Sequence, residues 1–281
     1  MLIFHKVSDI RNYLDQKRLT GTRIGFVPTM GALHNGHLSL IQQCREHTDL
    51  TVSSIFVNPT QFNDPKDFEK YPVTIEKDIE MLVNTGCDLL FLPSAKEIYP
   101  DGTAHLPHYD LGYLETVLEG KYRPGHFQGV CQVVHRLLEI VQPDDLILGQ
   151  KDYQQLMVIK KMIRLTGLST HVQTGSTFRE KDGLAMSSRN MRLNETDRVT
   201  ATAIYQTLLQ MKEQLKPGSV LQLKEMATKH LTDKGFRVDY TELANADTLE
   251  LVEDWNGQDK IVALIAAYLT EVRLIDNMIL T

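Results

Sequence analysis

Short β-branched runs alternate with helical patterns through the first 175 residues, and this rhythm constrains the chain more than any other feature. Ile24 to Val27 reads as a buried strand, with Pro28 expected to stop it. Gly36 to Glu46 follows as a helix. Leu50 to Val57 is the next strand, Ile75 to Thr85 a helix with Ile75, Ile79, Leu82 and Val83 on one face, and Asp88 to Leu92 a short strand. Apolar residues at 127, 130, 131, 134, 137, 138 and 141 make Phe127 to Val141 a strongly patterned helix that Pro143 ends. Asp145 to Leu148, Tyr153 to Leu165 and His171 to Thr174 repeat strand, helix, strand. Such alternation predicts an α/β fold, with parallel strands and crossover helices wound on both faces in a Rossmann-like, doubly wound domain over residues 1–175.

The pattern then changes. Thr196 to Leu215 and Val220 to Lys234 read as helices split by Pro217-Gly218, followed by strands at Phe236 to Leu243 and Lys260 to Leu269, with Val272 to Ile279 ending the chain. This predicts a smaller α+β domain over 176–281. A hinge or flap is expected at about 176–190, where Gly175, Asp182 and Gly183 interrupt the apolar pattern.

Charge and cysteine usage narrow the class of function. A net charge of −6 offers no general footprint for nucleic acid or anionic membrane. Cys44, Cys87 and Cys131 are odd in number and far apart, with no CxxC pair, so neither a disulfide framework nor a thiolate zinc site is expected, and a cytoplasmic setting fits. The opening MLIFHKVSDI is too short in apolar residues for a signal peptide, and the apolar run Ile261 to Leu269 is too short to span a bilayer.

In an open parallel sheet, ligands bind beyond the carboxyl ends of the strands. Four strand ends are followed by polar loops: Pro28-Thr29-Met30-Gly31, Asn58-Pro59-Thr60-Gln61-Phe62, Gly149-Gln150-Lys151-Asp152-Tyr153-Gln154-Gln155 and Gly175-Ser176-Thr177-Phe178-Arg179. Their convergence on one edge says more than any loop alone, although loops are commonly polar whatever they do. The first continues into PTMGALHNGH. Gly31 and Gly36 have P-loop spacing, but His37 and Leu38 stand where Lys and Ser/Thr belong, so a Walker site is excluded. What remains is a glycine-rich turn opening a helix, whose N–H groups suit a phosphate. His34 and His37 are spaced to reach one polyphosphate; the other readings are a structural or metal-binding histidine pair, the metal lacking a third ligand at recognisable spacing.

Lys151 suits phosphate charge and Asp152 a ribose hydroxyl or Mg²⁺; the competing reading is a surface ion pair. Ala185-Met186-Ser187-Ser188-Arg189-Asn190 can wrap phosphate oxygens with two hydroxyls and an arginine fork. Arg123-Pro124-Gly125-His126-Phe127 is either a helix-start anion site or a turn with a structural histidine. No GxSxG or HExxH occurs, so serine hydrolase and zincin chemistry have no support.

HxGH after a first strand, with the later Met186-Ser187-Ser188-Arg189, resembles the nucleotidyl-transferase superfamily that includes class I aminoacyl-tRNA synthetases. Here Ala185 stands at the first lysine of the KMSKS loop, and Lys151 is a candidate for the missing charge. The fuller resemblance is to the pantoate–β-alanine ligases: PTMGALHNGH, SIFVNPTQF at 54–62, LEGKYRPGHFQGV at 118–130, GQKDYQQL at 149–156, DGLAMSSRN at 182–190 and RLIDN at 273–277 occur in that family's order over nearly the whole chain.

The resemblance implies an ATP-dependent condensation through an acyl adenylate. It implies ATP contacts at Met30, Gly31, Ala32, Leu33, His34, Asn35, Gly36, His37, Gly149, Gln150, Lys151, Asp152, Phe178, Met186, Ser187, Ser188 and Arg189. Gln61 and Gln155 match the pantoate-binding glutamines, and Gln61 is also expected near β-alanine. His37, His34 and Lys151 are the catalytic candidates, with His37 described in the family as a proton donor. A stabiliser of developing phosphate charge is the alternative role, since carboxylate attack and pyrophosphate departure need no strong acid. Mg²⁺ is expected with ATP, without an assignable protein ligand, and a homodimer is implied by resemblance alone. The rivals are a nucleotidylyltransferase forming a stable dinucleotide-like product and a non-catalytic ATP sensor.

Overall fold

Every strand expected from the β-branched runs of the first 175 residues enters one parallel sheet. The computed structural model describes residues 1–62, 68–69 and 71–281. Its contacts divide the chain into two units: residues 1–150 with 155–176, and residues 151–154 with 177–281.

The first unit holds β1 (Leu2–Phe4), α1 (Val7–Leu19), β2 (Ile24–Thr29), α2 (Asn35–His47), β3 (Leu50–Ile55), α3 (Ile75–Thr85), β4 (Leu89–Phe91), α4 (His126–Val141), β5 (Asp145–Gly149), most of α5 (Tyr153–Thr166) and β6 (His171–Gly175). The strand order is β1-β4-β3-β2-β5-β6, with every pairing parallel. From β2 the chain winds outward through β3 and β4, then returns to the other side of β2 for β5 and β6. The order therefore reverses between β2 and β5, where open α/β sheets hold ligands.

Pro28 acts differently from the expectation. The strand does not stop there; it runs to Thr29, paired with β3 as Pro28↔Ser54 and Thr29↔Ile55. The carbonyl of Arg23 accepts from Leu50 of β3 and that of Thr29 from Phe56 just beyond it, whereas the carbonyl of Ile24 accepts from Asp144 on the β5 side. By alternation, position 28 faces β5, and a proline there has no N–H to give. Pairing of β2 with β5 covers only Gly25↔Asp145 and Phe26↔Leu146, although the strands continue to Thr29 and Gly149. The sheet is thus parted at its switch point, at the carboxyl end.

β1 and α1 are not anticipated in the sequence reading. β1 is an edge strand with exposed Leu2 and Ile3, and α1 buries only Ile10 and Leu14, a stripe too narrow to stand out. The seven patterned residues of α4, from Phe127 to Val141, are all buried, and in α3 Leu82 is buried with Ile75 and Ile79 packed beside it, but Val83, expected on the same face, is 50 % exposed. Leu33, Ile41, Cys44, Ile55, Leu82, Leu90 and Ile147 form one core cluster. Burial pushes the Cys87 and Cys131 thiols up to about 12, so neither is a ready thiolate.

The second unit packs α6 (Ala203–Gln214) and α7 (Leu221–Asp233) on an antiparallel sheet of β7 (Arg237–Asn245), β8 (Ile261–Leu269) and β9 (Val272–Ile279), ordered β9-β8-β7. The helix expected over 196–215 is divided into Glu195–Thr200 and α6. Thr200 and Thr202 flank the break, their hydroxyls returned to the carbonyls of Thr196 and Val199, a local competition that disfavours a continuous helix.

Candidate active site

At the carboxyl end of β2 the chain makes a turn that only certain residues permit. Gly31 has φ +81° and Ala32 φ +49°. A Cβ at Gly31 would lie 3.0 Å from Asp78 Oδ2 and 3.1 Å from Ile55 Cγ2, so the position requires glycine on both conformational and steric grounds. Asp78, on α3 and with no exposed surface, fixes the turn: Oδ2 accepts the N–H of Ala32 at 2.9 Å, and Oδ1 that of Leu33 at 2.8 Å. Thr74 Oγ1 also donates to Oδ1, at 3.1 Å. The sequence held a signal for this residue. Asp78 falls inside the apolar stripe of Ile75, Ile79 and Leu82, and a carboxylate there must be compensated by donors.

Leu33 leads into α2, whose N-cap is His34. The two histidines bracket the first turn: the His34 carbonyl takes the N–H of His37 at 2.8 Å, and His37 Nδ1 takes the N–H of His34 at 3.3 Å. Their ring centres are 4.0 Å apart. With Nδ1 an acceptor, the neutral His37 ring carries its proton on Nε2. Asn35 is exposed, and Gly36 and His37 half-buried.

The loop after β3 is held by a second buried amide. Asn58, 1 % exposed, caps the short helical turn Pro59–Gln61, donates to the Gly129 carbonyl at 3.1 Å and accepts from Tyr99 OH at 2.9 Å. α4 comes so close at Gly129 that an added Cβ would lie 2.3 Å from the Thr60 carbonyl oxygen and 2.8 Å from Gln61 Cα. His126 Nδ1 hydrogen-bonds the Gln61 carbonyl at 2.8 Å and is buried, so of its two readings the geometry supports the structural one. Gln61 Nε2 donates to Met30 Sδ at 2.8 Å, which joins the loops after β2 and β3. Of the residues singled out from sequence, Met30 and Gln61 are thus in direct contact. Gly149 ends β5 on the far side of the switch point, Gln150 follows it, and Gln155 is half-buried on α5.

In the second unit, Lys151 lies in a turn beside exposed Asp152, with Nζ 3.9 Å from Asp152 Oδ2. Phe178 is 40 % exposed, and its carbonyl accepts the N–H of Met186. Arg179 and Ala185 form a β-bridge, so 178–186 is a narrow hairpin. Ser187 caps the turn Ser188–Arg192, its Oγ accepting the Arg189 N–H at 3.3 Å, and Asn190 Nδ2 returns to the Ala185 carbonyl at 3.0 Å. Arg179 holds this hairpin to β9 through Asp276, at 2.6 Å and 3.1 Å. Burial pushes the Asp276 carboxyl up, and the Arg179 guanidinium, the Asn277 N–H and the Lys151 charge pull it down. The RLIDN string marked these residues without giving them a part. Among the described residues, no three His, Cys, Asp or Glu are grouped to hold a metal ion.

A model of the pantoate-beta-alanine ligase family matches residues 2–279. The pantothenate synthetase of Marinomonas sp. is 46% identical over 280 residues, and that of Porphyromonas gingivalis 42% over 283, each alignment covering 99% of both chains. The crystal structure of pantothenate synthetase from Thermus thermophilus superposes with a TM-score of 0.91 at 40% identity, over 100% of this chain and 99% of that one. The pantoate-beta-alanine ligase of Francisella tularensis, solved as a complex with beta-gamma ATP and beta-alanine, has a TM-score of 0.84 at 38% identity, over 100% of this chain and 98% of that one. With its parted switch point, its HxGH helix start and these matches over its full length, this chain belongs to the pantoate–β-alanine ligase family.

Proposed function

We propose that this chain condenses pantoate with β-alanine at the expense of ATP. The pantoate carboxylate attacks the α-phosphorus of ATP and pyrophosphate leaves, giving pantoyl adenylate. The amine of β-alanine then attacks the acyl carbon, expels AMP and leaves the amide, pantothenate. Family membership over residues 2–279 supports this reading, and the single structural observation that carries it is the glycine turn and histidine-capped helix at the switch point of the sheet.

The residue roles follow from chemistry. Met30 to His37 present helix-start N–H groups and the His37 Nε2–H to the phosphates. Gly149 to Asp152, Phe178 and Met186 to Arg189 complete the nucleotide contacts, with Lys151 and Arg189 supplying positive charge. Gln61 and Gln155 orient pantoate: an amide directs hydroxyls and a carboxylate without quenching its nucleophilicity, as a close cation would. Gln61 serves β-alanine as well. Holding the two reactants in line can contribute about 7–11 kcal/mol to the rate. His37 adds a donor where charge develops, and removing one such donor typically costs on the order of 10²- to 10³-fold.

Mg²⁺ arrives with the nucleotide. Since such an ion would draw most of its ligands from the triphosphate and water, one protein carboxylate would suffice, and exposed Asp152 would fit that part. The ion offsets phosphate charge when bound. The family's homodimer belongs to the same proposal, and sedimentation tests it. No described helix is long and apolar enough to cross a membrane; a cytoplasmic location is part of this reading.

Product analysis tests the proposal. With ATP, pantoate and β-alanine, AMP and an amide are expected. A stable dinucleotide-like product would instead indicate a nucleotidylyltransferase, and binding of ATP without turnover a sensor.

A further inference from the structure

The last strand of the chain holds the backbone of Lys151. Asn277 on β9, 2 % exposed, donates from Nδ2 to the Lys151 carbonyl at 2.7 Å. Asn277 is itself fixed by its neighbour: Asp276 Oδ1 accepts the Asn277 N–H at 2.8 Å. Asp276 in turn grips both terminal nitrogens of Arg179. Arg179 also donates to the carbonyls of Gly183 at 3.0 Å and Asn277 at 3.3 Å, and its guanidinium carbon lies 4.3 Å from the centre of the Tyr205 ring. One bidentate pair therefore locks β9 to the 178–186 hairpin, and Asn277 carries that fixed point to Lys151.

The sheet does not need these polar groups. β8 and β9 pair through the backbone at Ile265↔Asp276 and Leu264↔Asn277. Apolar side chains would serve burial as well, since a buried ion pair is often no more stabilising than an apolar replacement of like volume. What the polar pair adds is direction. The Lys151 ammonium sits 3.9 Å from Asp152, a loose pair, and near enough to Asp276 to pull that carboxyl down, so its place is set by where the turn puts its Cα and by the Asp276 charge. A shift of about 1 Å in such a group can cost on the order of 10²-fold in rate.

We propose that Asn277 and Asp276 are positioning residues for Lys151, holding the turn from which its ammonium acts during adenylate formation. The inference rests on the reading of Lys151 as a phosphate-facing lysine. Asn277→Asp removes the donor at nearly constant shape and turns an acceptor toward the Lys151 carbonyl. Pantoate-dependent pyrophosphate release is measured for the wild type, Asn277→Asp, Lys151→Ala and the double variant, with thermal unfolding recorded for each. The expected kcat for Asn277→Asp is lower by about 10- to 100-fold with a smaller change in the KM for ATP. In the Lys151→Ala background the same change is expected to matter by less than about twofold, because the side chain it aims is gone. A general structural role would instead lower kcat by the same factor in both backgrounds, and that additivity overturns the proposal. Full activity in Lys151→Ala overturns the reading of Lys151, and the positioning role with it. If Asn277→Asp does not fold, Asn277→Ala replaces it in the cycle, with the same criteria.

Discussion

Asp78 Oδ1 accepts the backbone N–H of Leu33 at 2.8 Å while Oδ2 accepts that of Ala32 at 2.9 Å, so one buried carboxylate shapes the turn that delivers the HxGH helix start. Its removal leaves two buried N–H groups unpaired. Asp78→Ala is expected to lower stability by at least about 2 kcal/mol. Asp78→Asn keeps the volume but turns one N–H group against another, and is expected to fold with adenylation reduced more than about tenfold. Urea unfolding and pyrophosphate release check the two variants; a wild-type rate in Asp78→Asn would sink this account of the turn.

Gly129 faces the Thr60 carbonyl with no room for a methyl group. Because Thr60 is backbone at this contact, the clash moves the loop that carries Gln61. Gly129→Ala is expected to raise the KM for pantoate and lower kcat while affecting nucleotide binding less. Separate titrations with ATP and with pantoate distinguish this from a general loss of folding, which lowers both alike.

His37 tests the difference between giving a proton and offering one in a hydrogen bond. In His37→Gln the side-chain oxygen can take the N–H of His34, as Nδ1 does, and the amide N–H can replace Nε2–H. His37→Gln is expected to retain at least about tenfold more adenylation than His37→Ala, which loses on the order of 10²- to 10³-fold. Equal loss in the two variants would show that a titrating imidazole is required.

Asp145 gives the stability a defined acid limb. Burial pushes its carboxyl up, but hydrogen bonds from Arg23, Gln173 and His171, and the charge of Arg23, hold it below the ordinary 3.8. A carboxyl lowered on folding stabilises the native state above its unfolded value and loses that contribution as pH falls through the folded one. Unfolding free energy is therefore expected to hold near about pH 5 and fall below 3.8. Asp145→Asn should make that fall shallower in urea titrations between about pH 5 and 2. An unchanged slope would remove Asp145 from the explanation.

Much of the fold was legible because each buried strand and amphipathic helix from Ile24 to Gly175 carries its own period. The polar loops at the strand ends were legible for the same reason. The hidden parts depend on pairing between segments distant in sequence. Pro28 reads as a stop because a single strand does not reveal which neighbour its missing N–H would face. Asp78 reads as a helix-surface residue unless its place in the apolar stripe is weighed, and the backbone N–H groups it holds, those of Ala32 and Leu33, lie 46 and 45 residues away. Asn277 and Lys151 are separated by 126 residues, and no local pattern announces a hydrogen bond of that span.

The central claim is that ATP and pantoate react before β-alanine is involved. Exchange of labelled pyrophosphate into ATP, with pantoate present and β-alanine absent, tests it most directly. The account predicts exchange that requires pantoate and is strongly reduced, but still measurable, in Lys151→Ala. Absence of exchange in the wild type, with pyrophosphate appearing only when β-alanine is added, would contradict it.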